Sequence, residues 1–65
     1  MTPEQVRKGI EYIAEMAHDP ELAHSEEDSL HASVLQAIAD GADDPRELAA
    51  LALTTEDLEF PRWCA

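Results

Sequence analysis

The fold is decided at residues 25–41, which read SEEDSLHASVLQAIADG. The Ser25 hydroxyl can cap the first turn of a helix, the acids after it suit the positive end of the helix dipole, and Gly41 can end the helix in a left-handed conformation. Apolar side chains recur every three or four residues at Leu30, Val34, Ala37 and Ile38, with Leu35 beside them. This pattern predicts an amphipathic helix with one buried face.

A helix is also predicted near the start of the chain. Thr2 is a good N-cap, Pro3 suits the first helical position, and Gln5 completes a capping box. Gly9 in the interior fits a close approach by another helix. The predicted core stripe consists of Val6, Ile10, Ile13 and Ala17, with Tyr12 and Met16 beside it. The helix is expected to end at residues 18–20, His-Asp-Pro, because proline disrupts the preceding turn.

The next two segments are a connection and a third helix. Asp19, Pro20 and Glu21 are expected to open one short turn through Ala23, which leads to the Ser25 cap of the central helix. The third helix has a start signal like that of the first helix: Asp44 is the cap, Pro45 is at the first position, and Glu47 closes the capping box. A third helix is therefore expected to run to about Leu53.

The end of the chain combines a short turn with two aromatic residues. Thr54 and Thr55 are expected to cap a last turn through Leu58. Phe60 and Trp63 follow in a segment interrupted by proline, and two large aromatics in so short a tail are expected to fold back over the helices. The predicted fold class is all-α: a small three-helix bundle with a short fourth helical turn and an aromatic C-terminal tail.

The length permits one small helical domain, residues 1–65, with a thin core. Association with a second copy or with another protein would bury more apolar surface, which is a common remedy at this size. The single cysteine, Cys64, cannot form an internal disulfide, and the chain has neither a signal-peptide pattern nor an apolar stretch of membrane-spanning length. The expected location is cytoplasmic.

The charge is strongly acidic. Fifteen acids against four bases give a formal net charge of -11. Such a surface disfavours direct binding of nucleic acid and of anionic membranes, because both are negatively charged. A solubilising surface is the preferred interpretation of these acids, and the alternative is an acidic face that meets a basic protein partner.

Three polar residues, His24, Asp28 and His31, fall along one flank of the central helix. Two imidazoles and a carboxylate could hold a transition metal, although the histidines are about two turns apart and need a bridging ligand. The alternative is structural: Glu27 or Asp28 hydrogen-bonds a partly buried His31, and His24 belongs to the cap. The structural interpretation is preferred, so no metal ligand is assigned.

No other motif predicts catalysis or a cofactor. The chain has no glycine-rich phosphate loop, nucleophile elbow or HExxH motif. Residues 47–58 have the outline of a helix-turn-helix, but its second helix would expose Glu56, Asp57 and Glu59, which repel phosphate. An ordinary helical corner is the preferred interpretation.

Three segments resemble short uncharacterised proteins of actinobacteria and their phages. These are DPELAHSEEDSLH at residues 19–31, AIADG at 37–41 and FPRWC at 60–64, so the resemblance covers residues 19–65. It carries no activity, cofactor or catalytic residue to transfer. It implies a small phage or prophage protein that interacts with a host protein.

The expected function is therefore a non-enzymatic protein-interaction module that acts through an acidic, partly apolar surface. Candidate contact residues are Phe60, Trp63, Glu56 and Asp57. The first alternative is an acidic mimic of DNA that blocks a nucleic-acid-binding host protein. A metal-dependent activity at His24, Asp28 and His31 is a third hypothesis.

Overall fold

The computed structural model describes residues 1–62, and all regular structure in that range is helical. The helices are α1 (Pro3–Glu15), α2 (Pro20–Ala39) and α3 (Pro45–Leu53). Two short 3₁₀ helices, Met16–His18 and Thr54–Asp57, follow α1 and α3. The predicted all-α class is thus confirmed over the described residues.

The start of α1 has the capping box that its sequence predicts. The Thr2 hydroxyl oxygen accepts from the Gln5 amide at 3.2 Å, and the Thr2 amide donates to the Gln5 side-chain oxygen at 2.9 Å. Pro3 occupies the first turn, where a missing amide hydrogen leaves no helical bond unmade.

The start of α2 differs from the prediction. This helix begins at Pro20, with the Asp19 carboxylate accepting from the Leu22 amide at 3.3 Å. The turn predicted to open at Asp19–Glu21 is therefore the first turn of α2 and not a separate connection, and the predicted Ser25 cap is wrong. Asp19 and Pro20 already supply a cap and a proline at the first position, and nothing after them interrupts a helix. Ser25 is an exposed residue within α2.

The end of α2 confirms the prediction for Gly41. This glycine has a φ of 90°, and its amide donates to the Ile38 carbonyl at 3.0 Å. The Ala42 amide donates to the Ala37 carbonyl at 3.0 Å. The pair of bonds forms a Schellman motif, which satisfies carbonyls that the helix itself leaves free.

The bounds of α3 match the sequence prediction, but the threonines after it behave differently. The Asp44 carboxylate caps α3 by accepting from the Glu47 amide at 3.3 Å. Neither Thr54 nor Thr55 caps the last turn: their hydroxyls instead donate backward to the carbonyls of Leu51 and Ala52 at the end of α3, at 2.6 and 3.0 Å. Their predicted capping role is wrong because the last carbonyls of α3 also need donors.

All three helices contact one another around a single cluster of buried apolar side chains. Its buried members are Val6, Ile13, Ala23, Leu30, Val34, Leu48, Ala52 and Phe60. A Cβ placed on Gly9 would lie 3.0 Å from the Leu30 Cδ1, which confirms the predicted close approach. Leu35 is 67% exposed, so its predicted place in the buried stripe is wrong.

Candidate partner-binding surface

His31 links α2 to the end of α3. Its Nε2 lies 3.2 Å from the Ala52 carbonyl oxygen and 2.9 Å from the Thr55 hydroxyl oxygen. A carbonyl oxygen can only accept, so Nε2 carries the hydrogen and donates. The role of His31 is structural, as expected, but its predicted partners Glu27 and Asp28 are wrong.

Glu27 instead holds the segment that follows α3. This carboxylate is only 5% exposed and accepts two bonds from Arg62, from Nε at 2.9 Å and from NH2 at 3.0 Å. Arg62 also donates to the carbonyls of Thr55 and Leu58, at 2.9 and 3.2 Å, and its guanidinium lies 3.9 Å from the centre of the Phe60 ring. We call Glu27, Thr55 and Arg62 the clamp.

The clamp is held by charge as well as by geometry. The hydrogen bonds from Arg62 lower the pKa of the Glu27 carboxyl, and burial opposes this shift. Glu27 in turn raises the pKa of Arg62. Bidentate pairing of a guanidinium with a carboxylate is the strong form of this interaction. Since the Arg62 nitrogens all donate to oxygens of the protein, the clamp stabilises the fold.

A second feature lies between α2 and α3, where the side chains leave a shallow apolar groove of about 250 Å³. The residues that line it, which we call the α2–α3 groove, are His31, Val34, Leu35, Ile38, Ala49, Ala52 and Leu53. Leu35 and Leu53 are 67% and 60% exposed. His31 is the only polar side chain in this lining, and its Nε2–H is already used within the fold.

Exposed acids lie next to the groove-lining residues in the sequence, at both ends of the lining along the chain. At one end, Asp28 precedes His31 by one turn of α2, and Glu56 and Asp57 follow Leu53. At the other end, the connection from α2 to α3 contains three exposed aspartates: Asp40, Asp43 and Asp44. Along the chain, exposed acids thus flank the apolar groove lining at both ends.

The three candidate metal ligands do not converge. The His24 Nε2 lies 3.6 Å from the Asp28 Oδ2, whereas the His31 Nε2 is directed to Ala52 and Thr55. Within residues 1–62, no three histidine, cysteine or acidic side chains are close enough together to hold one metal ion. The structure therefore gives the metal hypothesis no ligand set in this part of the chain.

The candidate contact residues are separated by the structure. Glu56 and Asp57 are exposed, whereas Phe60 is 7% exposed and belongs to the core. Trp63 lies outside the described residues, as does Cys64, so the aromatic tail stays a prediction. After α3 comes a four-residue 3₁₀ helix, too short to be the reading helix of a helix-turn-helix.

Sequence reasoning missed both the groove and the clamp. Glu27 falls in the buried row Ala23, Glu27, Leu30 and Val34, and an acid at such a position calls for a partner. That signal could have identified Glu27 but not Arg62, which is 35 residues away. The sequence predicts Leu53 as the end of α3 but does not predict its exposure in the groove.

Comparison with known proteins leaves the chain unassigned, since no family model, curated protein or solved structure matches it. The resemblance to short actinobacterial and phage proteins therefore stays a prediction. Within the described residues, none of the helices has the length and apolar character needed to cross a bilayer.

Proposed function

We propose that this chain is a non-enzymatic protein-interaction module that binds another protein through the α2–α3 groove. The observation that carries the proposal is the exposure of Leu35 and Leu53 on either side of an apolar depression. Complete burial of a leucine side chain is worth roughly 1.5–3 kcal/mol. In a chain with a core this small, two exposed leucines in one groove are better explained by a partner than by the fold.

The size and chemistry of the groove favour a protein over a small molecule. Ligand pockets commonly enclose about 300–1,000 Å³ and place several polar groups around the ligand. The groove has about 250 Å³ and is open, and the polar group that His31 contributes already donates within the fold. Shape and apolar contact are thus its main means of recognition.

The charge of the chain indicates the kind of protein that would bind. At a formal net charge of -11, a basic surface is attracted and an acidic one is repelled. Following the resemblance to phage proteins, we place this partner among the cytoplasmic proteins of a bacterial host.

Mimicry of DNA is the alternative that the exposed acids support. A mimic would use carboxylates at Asp40, Asp43, Asp44, Glu56 and Asp57 in place of phosphates, and leucines would contribute little. Its binding would weaken steeply with salt and would be insensitive to an added acid in the groove. The two functions therefore differ in their dependence on Leu53.

The test uses tagged parent protein and two variants, Leu53→Glu and Tyr12→Glu, as baits in an actinobacterial lysate. Tyr12 of α1 is 43% exposed and lies outside the groove lining. Tyr12→Glu therefore adds the same negative charge as Leu53→Glu, but at a surface position away from the groove. We expect proteins captured by the parent and by Tyr12→Glu to be lost with Leu53→Glu, at low and at high salt.

Two outcomes contradict the proposal. Equal capture of proteins by all three baits would exclude the groove as the binding surface. If this capture also disappears at high salt, it would favour mimicry of DNA. Loss of capture with both variants would indicate that added charge, rather than the groove, is responsible. Thermal melts of the two variants show that each bait is folded.

A further inference from the structure

We infer that the α2–α3 groove receives the apolar face of a basic amphipathic helix from another protein, and not a second copy of this chain. The inference rests on the proposed function and specifies the partner of the same surface. It combines the length of the groove, the chemistry of its lining and the charge at its ends.

The length of the groove matches a short helical stripe. On the α2 side the lining extends from His31 to Ile38, a separation of seven residues. At about 1.5 Å per residue, this is about two helical turns. An amphipathic helix presents apolar side chains at i, i+3 or i+4, and i+7 over the same distance.

The lining supplies apolar contact without a row of hydrogen-bonding groups. A strand or an extended peptide would need backbone partners, because peptide groups buried without hydrogen bonds are costly. The groove is lined by side chains of two helices whose backbone groups are already used, and His31 donates its Nε2–H to Ala52 and Thr55. A helix satisfies its own backbone and brings only side chains to the groove.

Charge selects a basic helix and argues against a second copy. Exposed acids adjoin both ends of the groove lining along the chain, so a copy bound groove to groove would bring acids next to acids in either orientation. Like charges within the screening length of about 8–10 Å repel each other. Lysine or arginine residues next to the apolar face of a partner helix would instead be attracted.

The experiment measures the anisotropy of three labelled synthetic peptides of about 15 residues, a length at which an isolated helix is marginal. The first peptide carries leucines at positions i, i+3 or i+4, and i+7 of a helix, and lysines elsewhere. The second keeps the leucines but replaces the lysines with glutamates, and the third scrambles the first. Each is titrated with the parent protein, Leu53→Glu and Tyr12→Glu.

We expect the basic amphipathic peptide to bind the parent at least about tenfold more tightly than either of the other peptides. Leu53→Glu should weaken this binding at least about tenfold, and Tyr12→Glu should change it by less than about twofold. Leu53→Glu also adds a negative charge, which by itself attracts the peptide. A loss of affinity in this variant therefore reports the apolar contact.

Several results overturn the inference. Equal binding of the scrambled peptide would mean that charge alone acts, and equal binding of the acidic peptide would mean that charge has no role. Absence of binding by all three peptides overturns it as well, as does a dimer of the parent that sedimentation detects and Leu53→Glu dissociates. If lysate capture still depends on Leu53 when no peptide binds, the proposed function stands and only the helical partner is wrong.

Discussion

α2 meets α1 along one flank and α3 along the other, and the side chains fill the two contacts to different degrees. Against α1, Leu30 packs onto Gly9, where even a Cβ would come within 3.0 Å. Against α3, Val34 is buried but Leu35 is 67% exposed, and an apolar groove of about 250 Å³ remains. A smaller depression of about 190 Å³ also lies between α1 and α2, but polar side chains form part of its lining.

The difference follows from the residues that face α2 on each side. On α1 a glycine lets the backbones approach until the leucine fills the space between them. On α3 the groove is lined by Ala49 and Ala52, which are too short to reach across, and by Leu53, which is exposed. Close packing against α1 therefore stabilises the fold, whereas the outer part of the contact with α3 stays an open apolar groove.

The largest expected effect on stability is the difference between truncating a leucine that faces α1 and truncating one in the groove beside α3. Leu30→Ala should lower the free energy of unfolding by about 2–5 kcal/mol, because it leaves a cavity against α1. Leu35→Ala should stay within about 0.5 kcal/mol of the parent. Urea unfolding measures both, and equal losses would show that the two flanks are packed alike.

The clamp provides the next effect, since it holds the end of the described chain on α2. Removing one partner of a buried ion pair costs about 3–5 kcal/mol, and solvent access to the Arg62 side chain, which is 31% exposed, reduces the expected loss to about 2–3 kcal/mol. Arg62→Ala is compared with Arg46→Ala, the same change at an exposed arginine of α3. An Arg62→Ala protein that unfolds like the Arg46→Ala protein would contradict the role of the clamp.

Acid should also lower the free energy of unfolding through the clamp, but by less than Arg62→Ala does, because protonation removes the charge of Glu27 and leaves both side chains present. The folded pKa of Glu27 lies below its unfolded value of about 4.3, so its contribution to stability is complete above that value and is lost as the pH falls through the folded pKa. The gap in unfolding free energy between the parent and Glu27→Gln should be constant above about pH 5 and narrow toward pH 3.

That comparison isolates Glu27 from the other acids, which titrate in both proteins. If the difference in unfolding free energy between the parent and Glu27→Gln stays the same down to pH 3, the charge of the Glu27 carboxylate does not contribute to stability.

The smallest expected effect is Gly9→Ala, and its sign depends on Leu30. Alanine gains about 1 kcal/mol of helix propensity, but its Cβ would meet the Leu30 Cδ1 at 3.0 Å, and overpacking costs about 1–3 kcal/mol. We expect a net loss of about 1 kcal/mol in the parent and a gain of up to about 1 kcal/mol in a Leu30→Ala background. Stabilisation in both backgrounds would refute the close contact of α1 with α2.

Local signals in the sequence predicted the helix ends well. The Thr2–Gln5 capping box, the left-handed Gly41 and the bounds of α3 depend on residues within a few positions of each other. The start of α2 is the exception: Ser25 also suits an N-cap, but Asp19 and Pro20 come first and nothing between them and Ser25 interrupts the helix.

The clamp and the groove depend on residues that are distant in the sequence. The clamp joins positions 35 residues apart, so no local pattern could pair Glu27 with Arg62. Leu35 fits the apolar period of α2, and its exposure follows from the small side chains on α3, which periodicity in one helix cannot reveal. The groove could therefore be found only from the assembled helices.

The most direct test of the open flank is an NMR titration of ¹⁵N-labelled parent protein with the basic amphipathic peptide. We expect amide shift changes at the groove residues Leu35, Ile38 and Leu53, and none at Val6 or Gly9 on the packed flank. Changes centred on α1, or spread evenly over the exposed acids without involving the groove leucines, would contradict the assignment of the α2–α3 groove as the binding surface.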